Sequence, residues 1–351
     1  MNVMSQTIVS FKALVMVMFS AMVFAQGCAI QYFEVGAEGN ACYPDETCNQ
    51  GLVCLSDLCV NPETECVPDC DGLNCGSDPV CGQSCGICDH GHSCRDGDCV
   101  KDVVWEPDGY VVRCSSGMCE IPGGSFWMGC NSDVDTECES DEMPYHEVTL
   151  GRYYMDKTEV TVDQYAGCVT DGSCTPPHTG GFCNWGVSGK GSNPVNCVNW
   201  IQAGEFCAWA GKRLPTEAEW EKAARGTDGR KFPWGNDVAT CQYAVMYSGK
   251  GGCGTGGTWN VCSKTAGNSP YGLCDMAGNV YEWVSDWYDS KYYVSSPSSS
   301  PTGPVNGLDR VNRGASFQCF NIRVSSRFYN DPEYSGVNHW FTGFRCAKDA
   351  Q

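Results

Sequence analysis

Gly211-Lys212-Arg213-Leu214-Pro215-Thr216-Glu217-Ala218-Glu219-Trp220-Glu221 contains the end of one helix and the start of another. Thr216 and Glu219 have capping-box spacing, in which each side chain accepts from the other residue's backbone amide. Pro215 stands just before this helix and Gly226 ends it. Upstream, Asn199 caps a segment running from Trp200 to Ala210, and Gly211 stops it. Ala203, Phe206, Cys207 and Ala210 share one face of that segment, the face a core would cover. A shorter helix is expected to start at Thr161 and continue through Tyr165. Elsewhere the chain sustains a period of neither 3.6 nor 2, so the fold class expected is α+β with many loops.

Farther out, the composition divides the chain. From about Val103 onward aromatic residues are frequent, and short apolar patches alternate with Gly, Asn and Asp. Residues 103–351 are therefore expected to be one folded domain. Residues 28–102 are different, with twelve cysteines between Cys42 and Cys99 and few apolar residues among them. Such a segment cannot bury enough apolar area to offset its ordering entropy without covalent staples, so it reads as a disulfide-rich stalk or small module. Cys85-Gly-Ile-Cys88 has redox or zinc spacing but lacks a βαβ context, and a structural disulfide is the expectation.

Residues 1–27 read as an export signal, with Lys12 ahead of an apolar run from Ala13 to Phe24 and small residues near its end. Cys28 follows Ala25-Gln26-Gly27, where a bacterial lipoprotein carries its lipidated cysteine. Cleavage after Val23-Phe24-Ala25 is the alternative, leaving Cys28 to a disulfide. The expected location is outside the cytoplasm, as a cell-envelope lipoprotein or a secreted protein. The chain has 28 cysteines and a formal net charge of −20. That charge repels nucleic acid and acidic membrane surfaces, so neither is expected as a partner, apart from membrane attachment through an N-terminal lipid. Histidines stand only at 90, 92, 146, 178 and 339. They form no zinc-hydrolase pair, and no Gly-rich phosphate loop follows a strand.

Several runs in order resemble one family. They are Ile121-Pro-Gly-Gly-Ser-Phe-Trp-Met-Gly129, Tyr154-Met-Asp-Lys-Thr-Glu-Val-Thr161, the block quoted at the outset, Phe232-Pro-Trp-Gly235, Asp275-Met-Ala-Gly-Asn-Val-Tyr-Glu-Trp283, Arg313-Gly-Ala-Ser-Phe317 and Gly343-Phe-Arg-Cys-Ala347. Together they cover about 121–348, and the stretch resembles the formylglycine-generating-enzyme, or sulfatase-modifying-factor, family. The resemblance implies a C-type-lectin-like fold, here preceded by the disulfide-rich module; a fold does not by itself carry function.

In the family enzyme two cysteines five positions apart bind copper(I), activate oxygen and convert a substrate cysteine to formylglycine. Two thiolates suit cuprous ion, and one alone makes a poor site. The resemblance places Cys319 on the first cysteine and Ser316 on the active-site serine, but Val324 stands where the second cysteine belongs. Asn321 replaces a basic residue and Tyr281 a tryptophan. Copper is therefore not expected. The resemblance also implies calcium, held by Asp275, Gly278, Val280 and Glu282, whereas a second family calcium site has Val245 in place of an Asn. It implies a Cys207–Cys346 disulfide, while the family's other bridge falls on Ala224 and Tyr329. Cys168 with Cys174 and Cys262 with Cys274 are expected as local pairs. Fifteen cysteines follow residue 103, an odd number, and Cys319 is the candidate for an unpaired thiol. The expected function is an exported, calcium-binding, lectin-like member of the family that binds an exported protein, peptide or glycan. The alternative is a thiol-dependent oxidase or maturation enzyme acting through Cys319.

Overall fold

In the computed structural model the described residues are 112–333 and 340–350, together with six short strands within residues 53–101. Residues 1–27, Cys28, the pairing of the cysteines between Cys42 and Cys99, and His339 lie outside the described residues. The chain divides into two compact units between Ser115 and Ser116. In the smaller unit β1 (Val53–Leu55) pairs with β2 (Leu58–Val60), β3 (Gly76–Ser77) with β4 (Ser84–Gly86), and β5 (His92–Arg95) with β6 (Asp98–Lys101). All three pairs are antiparallel, and β7 (Cys114–Ser115) follows them.

The larger unit begins with β8 (Met118–Ile121) and β9 (Gly124–Met128), followed by β10 (His146–Leu150) and β11 (Tyr153–Asp156). Strands β9 and β10 form an antiparallel pair, and β11 lies between β8 and β16 (Ala347–Asp349), so the C-terminal strand is paired inside a sheet. Helix α1 (Val162–Asp171) is capped by Thr161, whose side chain and that of Gln164 complete a capping box. It runs well beyond the Tyr165 reached from sequence and stops at left-handed Gly172. Helix α2 (Trp200–Trp209) is capped by Asn199 and helix α3 (Glu217–Arg225) by Thr216 with Glu219, as expected. A second sheet has the order β14 (Phe328–Asn330), β13 (Arg310–Arg313), β12 (Tyr281–Trp287), β15 (Thr342–Gly343), with the last pair parallel. The short helix α4 (Tyr292–Ser295) lies between β12 and β13.

One core joins α1, α2 and β12. Tyr165 stacks on Phe206 at 5.5 Å and meets Phe344 edge-on at 6.3 Å, while the Trp283 indole donates to Val198 O at 3.0 Å. The Cys207–Cys346 bridge lies within this core, and the Cys168–Cys174 and Cys262–Cys274 bridges are also formed. Helix α3 is buried along its whole length in spite of three glutamates, a lysine and an arginine. Its charges are neutralised within the helix and from far along the chain: Glu221 pairs with Arg225 one turn on and with the distant Arg313, and Glu217 with Arg327. A charge left alone at such depth would cost several kcal/mol.

Candidate functional site

Strand β13 ends in Gly314 and Ala315, both left-handed, with φ of 86° and 58°. At Gly314 a Cβ would meet the Trp220 ring at 3.1 Å. The close approach and the positive φ together account for glycine here. The turned chain is clamped on both sides: Gly278 N donates to Gly314 O, Phe317 N to Asn279 O, Gly252 N to Phe317 O and Tyr247 N to Cys319 O. This positions Cys319 and Ser316 side by side, both buried.

The Tyr281 hydroxyl donates to Cys319 Sγ at 3.0 Å, and the Ser316 hydroxyl lies 3.5 Å from the same sulfur. Burial pushes the Tyr281 phenol well above its ordinary range, so it remains a proton donor. Cys319 itself is in a disulfide. The expectation of an unpaired thiol is thereby corrected: the sulfur that the sequence placed in the reactive position carries no proton and is not a thiolate. Val324 is fully buried, its amide donating to Lys231 O and its carbonyl accepting from Arg313. Asn321 Oδ1 accepts from Arg323 Nε, and Arg323 pairs with Glu142 and Asp135. The segment around the missing second cysteine is thus held by structural ion pairs.

An aromatic wall flanks the loop. Phe182 lies 5.8 Å from Phe317, 5.6 Å from Trp340 and 5.5 Å from Phe341. The Cys183–Cys197 bridge and Asn196, which donates to the carbonyls of Phe182 and Trp340, hold this wall in place. Phe317 is fully buried, whereas Phe182 is 38% exposed.

Of the expected calcium ligands, Asp275, Gly278 and Val280 lie on the segment leading into β12 and Glu282 is in β12 itself, with Asp275 and Gly278 both at positive φ. Glu282 Oε1 and Oε2 accept from Arg345 at 2.8 and 2.7 Å, and Oε2 also accepts from Trp220 Nε1 at 2.8 Å. A carboxylate has about four lone-pair sites, so one is left over. Asp275 accepts from Cys262 N. Beside it is Glu159, a residue the sequence reading did not single out; it is fully buried and neither of its oxygens has a hydrogen-bond partner. Burial and then the Asp275 charge push the Glu159 carboxyl far up, and burial likewise raises Asp275. The unpartnered Glu159 carboxyl at zero exposure next to Asp275 puts two hard oxygen donor groups of the kind calcium takes side by side, while Glu282 is already engaged by Arg345 and Trp220. Among the described residues no three His, Cys, Asp or Glu side chains form a metal-holding group, so backbone carbonyls such as those of Gly278 and Val280 would be needed. The signal available in the sequence for Glu159 was its place inside the Tyr154–Thr161 block.

Comparison with known proteins accords with this geometry. The profile of the sulfatase-modifying factor enzyme 1-like domain matches residues 111–350. A formylglycine-generating enzyme of Streptomyces coelicolor is 32% identical over 305 residues, spanning 68% of this chain and 91% of that protein. One from Thermomonospora curvata is 35% identical over 293 residues, spanning 67% of this chain and 94% of that protein. The solved structure of PvdO from Pseudomonas aeruginosa superimposes with a TM-score of 0.57 at 26% identity, covering 66% of this chain and 94% of that one. The disulfides of the larger unit suit an oxidising, extracytoplasmic setting. A chain with these matches, built around the loop that carries Ser316 and Cys319, belongs to the sulfatase-modifying-factor family of formylglycine-generating-enzyme-like proteins.

Proposed function

We propose that this protein is an exported, calcium-binding member of the family that recognises a protein, peptide or glycan ligand and does not oxidise cysteine to formylglycine. The observation that carries the reading is the state of the two catalytic positions. Cys319 is in a disulfide, and Val324 is a buried aliphatic side chain. Copper(I) bound by two thiolates has neither ligand in this arrangement. Calcium at Asp275 and Glu282, with the carbonyls of Gly278 and Val280, would supply positive charge where Glu159 has no donor. Its role there is to hold the turn that supports Tyr281 and the 314–319 loop.

Peptide mapping of the mature protein, alkylated without reduction, tests the reading together with a thiol-peptide oxidation assay in the presence of copper. The expected result is an unalkylated Cys319 and no aldehyde product. Alkylation of Cys319 with formation of formylglycine in the peptide would overturn it. The same map reports whether Cys28 carries lipid.

A further inference from the structure

One cavity of the larger unit does not touch Cys319, Ser316 or Tyr281. It encloses about 600 Å³ between the β10–β11 turn, one face of α2, the link into α3 and the 300–302 segment. We propose that this groove is a second binding site, for a small organic anion with a flat apolar body. A cavity of this size is typical of drug-sized ligands.

Helix α2 presents Trp200, Gly204 and Ala208 to the groove at intervals of four, so one indole is followed by two positions with almost no side chain. Gly204 lies in the helix interior, where alanine is the better residue, and its backbone makes no demand for glycine: φ is not positive and a Cβ would meet nothing within 4 Å. Neither local conformation nor packing explains the glycine, whereas room for a ligand against the helix does. Trp200 lines the groove with its ring, stacked on the Arg310 guanidinium at 3.8 Å and anchored by its indole N–H donating to Val284 O at 2.8 Å.

The sign of the ligand's charge follows from the rim. Lys212 is taken by Asp156 at 2.5 Å, and Arg213 makes two bonds to Glu219 at 2.7 Å and two to Asp349. The acidic residues lining the groove, Glu219 and Asp349, are therefore both already matched. Arg152 is different: its side chain is half exposed and its ion pair, to Glu120, is long at 3.8 Å. In a chain of net charge −20 this is a cation at a cavity mouth with capacity for an anionic partner.

Titrating the full chain with anilinonaphthalene sulfonate, a flat aryl anion whose fluorescence rises on binding, tests the proposal. The expected result is one saturable site, weakened about tenfold by Arg152→Ala and abolished by Gly204→Trp, with melting unchanged in both variants. Val305→Ser, at a 96% exposed apolar residue elsewhere, leaves the titration as in the wild type. Loss of binding in Val305→Ser, or an unchanged titration in Arg152→Ala, overturns the site. If Gly204→Trp fails to fold, Arg152→Glu takes its place, and undiminished binding there is equally fatal.

Discussion

Cys207 in the last turn of α2 is bonded to Cys346, 139 residues later, one residue before the final strand. Both cysteines are fully buried, and the bridge lies against Tyr165, Phe206 and Phe344. It closes a loop that holds nearly all of the second sheet and the 314–319 turn. Cys207→Ser is expected to cost about 2–5 kcal/mol, as removing a native disulfide ordinarily does. Denaturant midpoints of the purified variant and wild type measure it, and a loss well below that range would mean that packing alone holds the C-terminus.

Arg345 is the cation among Glu159, Asp275 and Glu282, and it also donates to the carbonyls of Cys274, Asp156 and Lys157. Arg345→Met leaves a buried cluster of carboxylates without compensation. The expected loss is about 3–5 kcal/mol, typical of breaking a buried pair from one side. The same chemical-denaturation series measures it.

Calcium should matter to the same cluster. Burial keeps the Glu159 carboxyl protonated until a cation takes the proton's place, so addition of calcium is expected to raise the melting temperature of the wild type, and a chelator should reverse the rise. Glu159→Gln keeps the shape of the neutral carboxyl but has no proton to exchange for a cation, so that variant should melt close to wild type in chelator and gain less from calcium. Equal responses to calcium in the two proteins would separate Glu159 from the cation.

Asp286 sets a pH dependence of its own. Burial first, and the Glu217 charge next, push its carboxyl up to about 7, against the opposing hydrogen bonds from Glu217 N and Ser285. The unfolded chain releases that proton near the ordinary value of 3.8. Between these two values the folded state holds a proton that the unfolded state has lost, so this group lowers stability as pH rises from about 4 to about 7 and has no further effect above. Asp286→Asn should remove that share, melting higher than wild type at neutral pH and converging with it toward the acidic end. Thermal melts across the window provide the check.

Val324 is the position that separates this chain from a copper enzyme. Under reducing conditions that open the Cys319 disulfide, Val324→Cys is expected to gain copper(I) affinity absent from the wild type, measured by competition with a chromogenic cuprous chelator. Equal affinity in the two proteins would mean that the loop no longer brings positions 319 and 324 together.

The three helices were legible because their signals are local. Thr161, Asn199 and Thr216 each satisfy backbone amides within three residues, and no distant contact is needed to read that. The family blocks were legible for a related reason: Gly314, Gly278 and Trp220 meet at one crowded place, so the residues there tolerate little change and the motif survives as text. The disulfide between Cys207 and Cys346 came with that resemblance. Tertiary structure alone decided the state of Cys319, because cysteine parity cannot say which sulfur finds another. It alone decided that the polar α3 is buried, since its partners Arg313 and Arg327 come from strands and loops roughly a hundred residues away. Glu159 and the groove beneath Gly204 are of the same kind. An orphaned carboxylate and an empty volume are defined by what surrounds them, and those surroundings are assembled from segments that sequence separates.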